Sequence, residues 1–388
     1  MPGGRNVSTM LGNRKLVLDT FCEVYDLLEP WMDHDFWDFS THEIVPGAVY
    51  LVSRKEVLKN LAKVRAIADS GQALLVFSNP AEGSETLAGQ CADARIQDLA
   101  HDKKILIIGG GDMDPRWPCL QYDSFLPKIL DYDENLAATS RSDEIYSKSV
   151  KPYKFLFLNG RTRPHRKYLL EQFKLTGLLD SALWTNLDTT DAQSRRLKLF
   201  HNGIDLMRNC TPIQTLPPDY EYVDYTDPMD SAADNVSFVK NYLFKHTWGE
   251  IYLRSEPYID TYFSLVTETV FDYPYSFRTE KIWKPIAMGH PFIAVANQGY
   301  YKDLHRLGFK TFGHVIDESF DCIENSQDRI ERIAQVVEDL CQQDLANFLE
   351  QCYNTCKFNQ NRLAEMRTKV RQEFPDRFTQ FITPYINE

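Results

Sequence analysis

The chain has 388 residues, 43% of them hydrophobic and 13% aromatic, which is enough apolar material for two substantial cores and excludes a disordered chain. Its 55 acidic residues against 43 lysines and arginines give a net charge of −12. That balance argues against a general nucleic-acid coat or a binder of anionic membranes, although a local basic cleft stays open.

The eight cysteines (Cys22, Cys91, Cys119, Cys210, Cys322, Cys341, Cys352 and Cys356) form no CxxC pair and no metal-ligand spacing, a dispersed usage that suits a reducing cytosol. The opening stretch MPGGRNVSTMLGNRK lacks the apolar core of a signal peptide. The longest aliphatic run, Ile105–Ile108, is far too short to span a bilayer, so no membrane span is expected.

Along the chain, apolar residues at Leu16, Leu18, Phe21, Val24, Leu27 and Leu28 predict an amphipathic helix within 12–30, and an aromatic, acidic segment follows at 31–39. From about residue 46 the pattern turns α/β. Ala48–Val52 is a strand, Glu56–Asp69 a helix, Ala73–Phe77 a strand, Ser84–Ala100 a helix and Ile105–Ile108 a strand. Residues 131–150 lack a core pattern and read as the interdomain connection. The rhythm restarts with a strand at Lys154–Leu158 and a helix at His165–Leu175. After a long irregular section come the strand-like Glu250–Arg254 and, at 326–374, mostly helix. Buried strands alternating with amphipathic helices predict an α/β protein of two doubly wound, Rossmann-like domains, 1–150 and 151–388.

Two stretches carry chemistry. In Lys154–Lys167 a buried strand ends at Asn159-Gly160 and delivers Arg161, Arg163, His165 and Arg166 to a loop and helix start. There guanidinium forks can meet the oxygens of a diphosphate; a solvated basic turn is the plainer alternative. In Phe263–Val295 a polar, aromatic loop leads to Thr279, an N-cap that places Glu280 and Lys281 in the first helical turn. Ile282 with Ile286 and Trp283 with Ala287 form i,i+4 pairs toward a core, Gly289 closes the helix, and Pro291–Val295 is a buried strand. Pro285 predicts a short or bent helix. A helix start with a carboxylate and an ammonium can hold vicinal hydroxyls and a phosphate together, as a sugar nucleotide presents them. Taken alone, Glu280 merely suits the helix dipole.

The run Arg278-Thr279-Glu280-Lys281, followed by Gly289-His290-Pro291, resembles the donor-binding motif of the α-1,3-fucosyltransferase family, approximately F-E-N-S, spacer, D-Y-V-T-E-K. Thr267-Glu268-Thr269 stands where E-N-S is expected, the spacer is about two residues longer, and Phe277 replaces the usual tyrosine. The resemblance covers some sixty to seventy residues. It implies a GT-B-like architecture, two domains facing a cleft, with acceptor on the first and nucleotide on the second. The C-terminal helices of such enzymes often cross back onto the first domain, and 361–385 are long enough to do so.

It further implies an inverting glycosyltransferase. Such an enzyme moves a sugar, fucose by analogy, from a nucleotide-sugar donor, GDP- before UDP-, to the hydroxyl of a glycan or other acceptor. On this reading the donor site comprises Asn159, Arg161, Arg163, Arg166, Glu268, Phe277, Thr279, Glu280 and Lys281. Arg166 is the closest positional match to the family's diphosphate-binding arginine. The family draws its general base from the first domain, where Asp112, Asp114 and Glu85 follow strand ends; Glu82 and the Asp33-His34-Asp35 cluster are further candidates. Without an anchor the chain looks like a soluble bacterial or viral relative, placed in the cytoplasm of a bacterium or an infected host cell.

Gly109-Gly110-Gly111-Asp112-Met113-Asp114 also contains a D-x-D, the metal–nucleotide signature of the GT-A fold. Three letters are weak support, glycines at strand ends serve tight turns, and a metal site there would leave the arginine and Glu-Lys features without a role, so no metal or cofactor is expected. Residues 216–235, with six acids, three tyrosines and no Lys or Arg, read as a surface insertion or an acceptor lid. Trp248, Tyr252 and Tyr262 read as core. Two other functions stay in play: transfer to a hydroxylated DNA base, as in some viral enzymes, against which the −12 charge counts; and non-catalytic carbohydrate binding, which the altered E-N-S half allows.

Overall fold

The computed structural model describes residues 16–18, 24–28, 34–36, 43–93, 95–148, 150–161, 163–188, 196–201, 223–224 and 253–386. The chain divides into two compact units, and the division is not a single cut. Unit 1 takes Met1–Pro127, Tyr275–Arg278 and Glu365–Glu388; unit 2 takes Lys128–Pro274 and Thr279–Ala364. Both are α/β.

Unit 1 holds a six-stranded sheet of β1 (Leu16–Leu18), β2 (His34–Phe36), β3 (Val49–Val52), β4 (Leu74–Asn79), β5 (Ile105–Gly109) and β6 (Cys119–Gln121). Their order is β2-β1-β3-β4-β5-β6, and every pairing is parallel. Side chains alternate between two cores, the period-two signature of a sheet covered on both faces. Val17, Tyr50, Val52, Leu75, Phe77, Ile105 and Ile107 join one cluster with Val57, Val64, Leu87 and Leu99 from the intervening helices. Leu16, Val49, Leu51, Val76, Leu106 and Ile108 join the other, with Phe374, Phe378 and Ile382. Those last three residues recur at i,i+4 along the helix Leu345–Ile386, and all are fully buried.

Several expectations change here. Leu16–Leu18 are a strand and not part of a helix, because they feed this alternation; the helix nearby is only Tyr25–Leu28. The helix expected over 56–69 is two, Arg54–Lys59 and Leu61–Ser70, broken at Asn60, where φ is −125°. That expected over 84–100 is also two, Ser84–Asp93 and Gln97–His101, with Arg95 at φ +53° between them. Residues 131–150, expected to lack a core pattern, belong to unit 2. They hold the helices Asp133–Thr139 and Glu144–Ser147 and bury Asn135, Ala138 and Ile145. The Asn135 side chain donates to Ile129 O at 2.8 Å and accepts from Leu253 N at 2.8 Å, which ties the stretch into unit 2.

The sheet of unit 2 runs β10-β9-β8-β7-β11-β12, with β7 (Tyr153–Arg161), β8 (Ala182–Asp188), β9 (Arg196–His201), β10 (Val223–Asp224), β11 (Thr261–Thr267) and β12 (Phe292–Val295). The pairings among β8, β7, β11 and β12 are parallel; β9 and β10 add antiparallel strands at one edge. Phe155 stacks on Phe263 at 5.4 Å and meets Phe173 edge-on at 5.7 Å, forming the aromatic centre of this core. Tyr262 is half-buried in β11, and its hydroxyl accepts from Lys151 N at 3.1 Å. Of the stretch 216–235, only β10 is described; Trp248 and Tyr252 lie outside the described residues, and Leu253-Arg254 are irregular. Among the described residues no helix is long and apolar enough to cross a membrane.

Candidate functional site

Within unit 2, β7 leads through the helix Pro164–Leu175 to β8 on one side, while β11 leads through the helix Glu280–Met288 to β12 on the other. Neighbouring parallel strands whose crossovers depart in opposite directions leave a crevice at their carboxyl ends, the place where open α/β sheets take ligands. The basic turn after β7 and the Glu-Lys helix start after β11 both come to this switch point, although more than a hundred residues separate them.

A hydrogen-bonded network closes the floor. Thr267 Oγ1 donates to Asn159 Oδ1 at 2.6 Å, tying the end of β11 to β7. Asn159 is 2% exposed, and its Nδ2 has no hydrogen-bond partner among the described residues. Arg166 is buried too. Its Nη2 donates to the carbonyls of Thr267 at 2.9 Å and Glu268 at 3.2 Å, and desolvation pulls its pKa down to about 10. His165 Nε2 donates to Glu268 O at 3.0 Å, and the ring stacks on Phe271 at 5.1 Å; burial, with Arg166 beside it, depresses its pKa to about 4. Arg166, expected to grip a diphosphate, instead fixes the end of β11. A carbonyl pair at a strand terminus needs donors as much as a ligand does. Arg163 is exposed, at the N-cap position of the helix Pro164–Leu175. Arg161 closes β7 past a register shift in its pairing with β8.

The second helix start is built as the sequence predicts. Thr279 is the N-cap, its hydroxyl accepting from Lys281 N at 3.3 Å; Ile282, Trp283, Ile286 and Ala287 are all buried. Pro285 sits inside a helix of only nine residues, and Gly289 ends it at φ +64°. Lys281 Nζ reaches Glu280 Oε1 at 2.8 Å and Thr279 Oγ1 at 3.1 Å. Burial works to raise the Glu280 carboxyl, but Lys281 and Lys284 outweigh it and hold the pKa below the usual range. A charged carboxylate and an ammonium therefore stand at the mouth of a helix N-terminus.

Glu268 plays a different part from the one expected. It is 0% exposed; its carboxylate accepts from Thr279 N at 3.1 Å, Thr279 Oγ1 at 2.7 Å and Tyr300 OH at 2.9 Å. Burial raises its pKa against the pull of Lys281 and Thr279. In this structure it offers no surface to a ligand. Tyr300 and Thr267 were not legible as partners, since neither spacing nor residue type links them to Glu268 or Asn159 before the strands are paired.

The remaining site residues belong to unit 1. Phe277, expected at the donor, is 4% exposed and fills the space left by glycines: a Cβ on Gly83, Gly110 or Gly111 would lie within 2.8 Å of Phe277 atoms. The triple glycine therefore makes room for the Tyr275–Arg278 segment. Arg278, 1% exposed, pairs with Asp112 at 3.3 Å and Asp123 at 3.1 Å; its burial opposes the charge, but Asp123 and Asp112 more than offset that and raise its pKa. Gln121 also donates to Asp112. Asp114, 1% exposed, accepts from Arg116 N at 2.9 Å and Nε at 2.9 Å, and the Arg116 bonds hold its pKa low. A general base needs an accessible carboxylate with an elevated pKa, so Asp114 is built against that role and Asp112 is committed to Arg278. Glu85 stands in the first turn of the helix Ser84–Asp93, and its side chain lies outside the described residues.

No family model matches the chain, nor does any curated protein or solved structure.

Proposed function

We propose that this protein is an inverting glycosyltransferase of GT-B kind, similar to the α-1,3-fucosyltransferases. It would bind a nucleotide sugar at the carboxyl ends of β7 and β11 and pass the sugar to a hydroxyl acceptor, with a glycan the first class to test. The observation that carries the reading is the convergence of the helix starts at Pro164 and Glu280 on one topological switch point, with Arg163, Glu280 and Lys281 at their first turns. The positive end of a helix, an arginine and an ammonium suit a diphosphate; Glu280, whose pKa is held low, suits vicinal hydroxyls of ribose or sugar.

In the reaction the acceptor oxygen attacks the anomeric carbon from the face opposite the diphosphate. The carbon–oxygen bond to phosphate breaks, and the nucleoside diphosphate leaves with the electron pair. A carboxylate takes the acceptor proton. With Asp112 and Asp114 engaged by arginines, Glu85 is the base to test first. The cationic groups above stabilise the leaving charge, so the reading expects activity to survive EDTA; complete loss with rescue by Mn²⁺ would overturn it.

The deciding measurement is a thermal-shift panel of GDP-, UDP- and CMP-sugars. A ligand at 100 times its dissociation constant stabilises the folded state by about 2.7 kcal/mol. A response to none of them would sink the proposal. Release of nucleotide from a sugar nucleotide would separate an enzyme from a carbohydrate-binding protein of the same build.

A further inference from the structure

We propose that Glu268 is a positioning residue: its buried carboxylate, accepting at both oxygens, holds Thr279 as the N-cap of the helix Glu280–Met288 and thereby fixes where Glu280 and Lys281 stand. The use of that helix start rests on the glycosyltransferase reading; the role of Glu268 in forming it does not.

Three donors meet this carboxylate, two from Thr279 and one from Tyr300, and its own main-chain carbonyl takes His165 and Arg166. One residue thus ties the end of β11 to the starts of the helices Pro164–Leu175, Glu280–Met288 and Tyr300–Arg306. The direction of each bond matters. Thr279 Oγ1 accepts from Lys281 N and Lys281 Nζ, so its single proton is free to point at Glu268 Oε2. The chain ammonium-to-hydroxyl-to-carboxylate has one consistent polarity, and it requires Glu268 to be an acceptor at both oxygens. A proton on Oε2, or the amide nitrogen of a glutamine there, would aim a third donor at Thr279 Oγ1 and turn its hydroxyl away from the cap.

The ionisable groups facing Glu268 pull in different directions. Lys281 favours the anion, Glu280 disfavours it, Arg166 is electrostatically coupled to it, His165 is neutral above its depressed pKa, and Tyr300 donates to it. Burial is the largest influence and moves protonation upward from the usual carboxylate range. Acidification therefore releases the cap before ordinary surface carboxylates titrate.

Hydrogen exchange in the full-length protein, read as protection of the 279–283 amides between pH 5 and 8, tests this without any ligand. The wild type should lose protection there as the pH falls, while β12 amides stay constant. Glu268→Gln should start on the order of tenfold less protected at pH 8, the size of a lost N-cap, and show no such pH dependence. Tyr300→Phe removes one donor to the anion, so the loss should move to higher pH. Wild-type protection that is flat in pH, or a Glu268→Gln profile that matches the wild type, overturns the proposal. If Glu268→Gln unfolds globally, an unmoved Tyr300→Phe profile overturns it and an upward shift supports it. GDP binding, measured on the same variants with Glu280→Gln beside them, should fall on the order of tenfold in Glu268→Gln. If GDP and its UDP and CMP counterparts bind none of the proteins, the donor assignment fails while the exchange result still decides the role of Glu268.

Discussion

At the scale of single residues, Glu280 and Lys281 were legible because an N-cap followed by a charged first turn is a local pattern; nothing distant is needed to form it. Removing the Glu280 charge by Glu280→Gln should weaken nucleotide binding by roughly ten- to a hundredfold, the worth of charged hydrogen bonds, and leave the melting temperature nearly unchanged. Isothermal calorimetry with GDP reads the first and a thermal melt the second; equal affinity would remove Glu280 from the site. Arg166 and Asp114 show the opposite limit. The sequence gives their charge but not their burial, and burial decides that each serves the protein instead of a ligand. The same holds for His165 and for His290, whose Nε2 donates to Thr261 O at 2.9 Å while Ser264 Oγ faces Nδ1 at 2.9 Å. Desolvation holds their pKa values at about 4 and about 3. Both rings are neutral in the folded state and charge in the unfolded state below its ordinary 6.5, so the unfolded chain binds more protons across that window. Stability is full above 6.5 and falls as the pH drops toward 4, by a few kcal/mol per ring on the order of 1.4 kcal/mol per pKa unit. Urea melts at pH 7 and pH 4.5 should show this loss, and His290→Gln should flatten part of it; parallel curves for variant and wild type would contradict the assignment.

At the scale of elements, the strands were read from short apolar runs, and those at Val49–Val52, Leu74–Asn79, Ile105–Gly109, Tyr153–Arg161 and Phe292–Val295 stand, because a strand covered on both faces is apolar along nearly its whole length. Short helices were not. Asp133–Thr139 and Glu144–Ser147 span too few turns to show an apolar stripe, so the stretch looked patternless. The triple glycine at the end of β5 was read as a tight turn, and the structure makes it a packing surface. A Cβ on Gly110 would lie 2.4 Å from Pro80 O, and one on Gly111, at φ +67°, would lie 2.4 Å from Ser276 O. Neither backbone atom can yield cheaply. Gly111→Ala should therefore cost more than the ~1–2 kcal/mol of an unfavourable left-handed residue alone. Phe277→Ala should cost about 3–5 kcal/mol by leaving a cavity against Gly83 and Gly110. Chemical denaturation reads both. A Phe277→Ala protein that keeps its stability but loses nucleotide affinity would restore Phe277 to the donor site.

At the scale of the whole molecule, the membership of unit 1 sets what can be cut. Phe374, Phe378 and Ile382 are fully buried in the same cluster as Leu51, Val76 and Leu106, and Arg377 Nη2 donates to Gln121 O at 2.8 Å. Each of those three side chains contributes about 1.5–3 kcal/mol of burial, together comparable with the 5–15 kcal/mol that hold a typical domain. A chain ending at Ala364 should lose the cooperative melt of unit 1, and a 365–388 peptide added in excess should restore part of it. A truncated protein with the full-length unfolding profile would show that the stripe is dispensable. That stripe was only partly visible in the sequence. Its i,i+4 spacing is plain, but the surface it covers lies more than 250 residues earlier, and no local signal spans that distance. A consequence appears during synthesis. The first strands of unit 1 leave the ribosome early, yet one face of their sheet stays uncovered until the chain has been extended from Pro127 to past Glu365. At ~5–20 residues per second this is a delay of roughly 10–50 s, during which an apolar sheet face is exposed in the cell. Unit 1, whose strands come first in this sequence, is therefore among the last to finish, and its uncovered sheet face is the surface a chaperone would meet during translation.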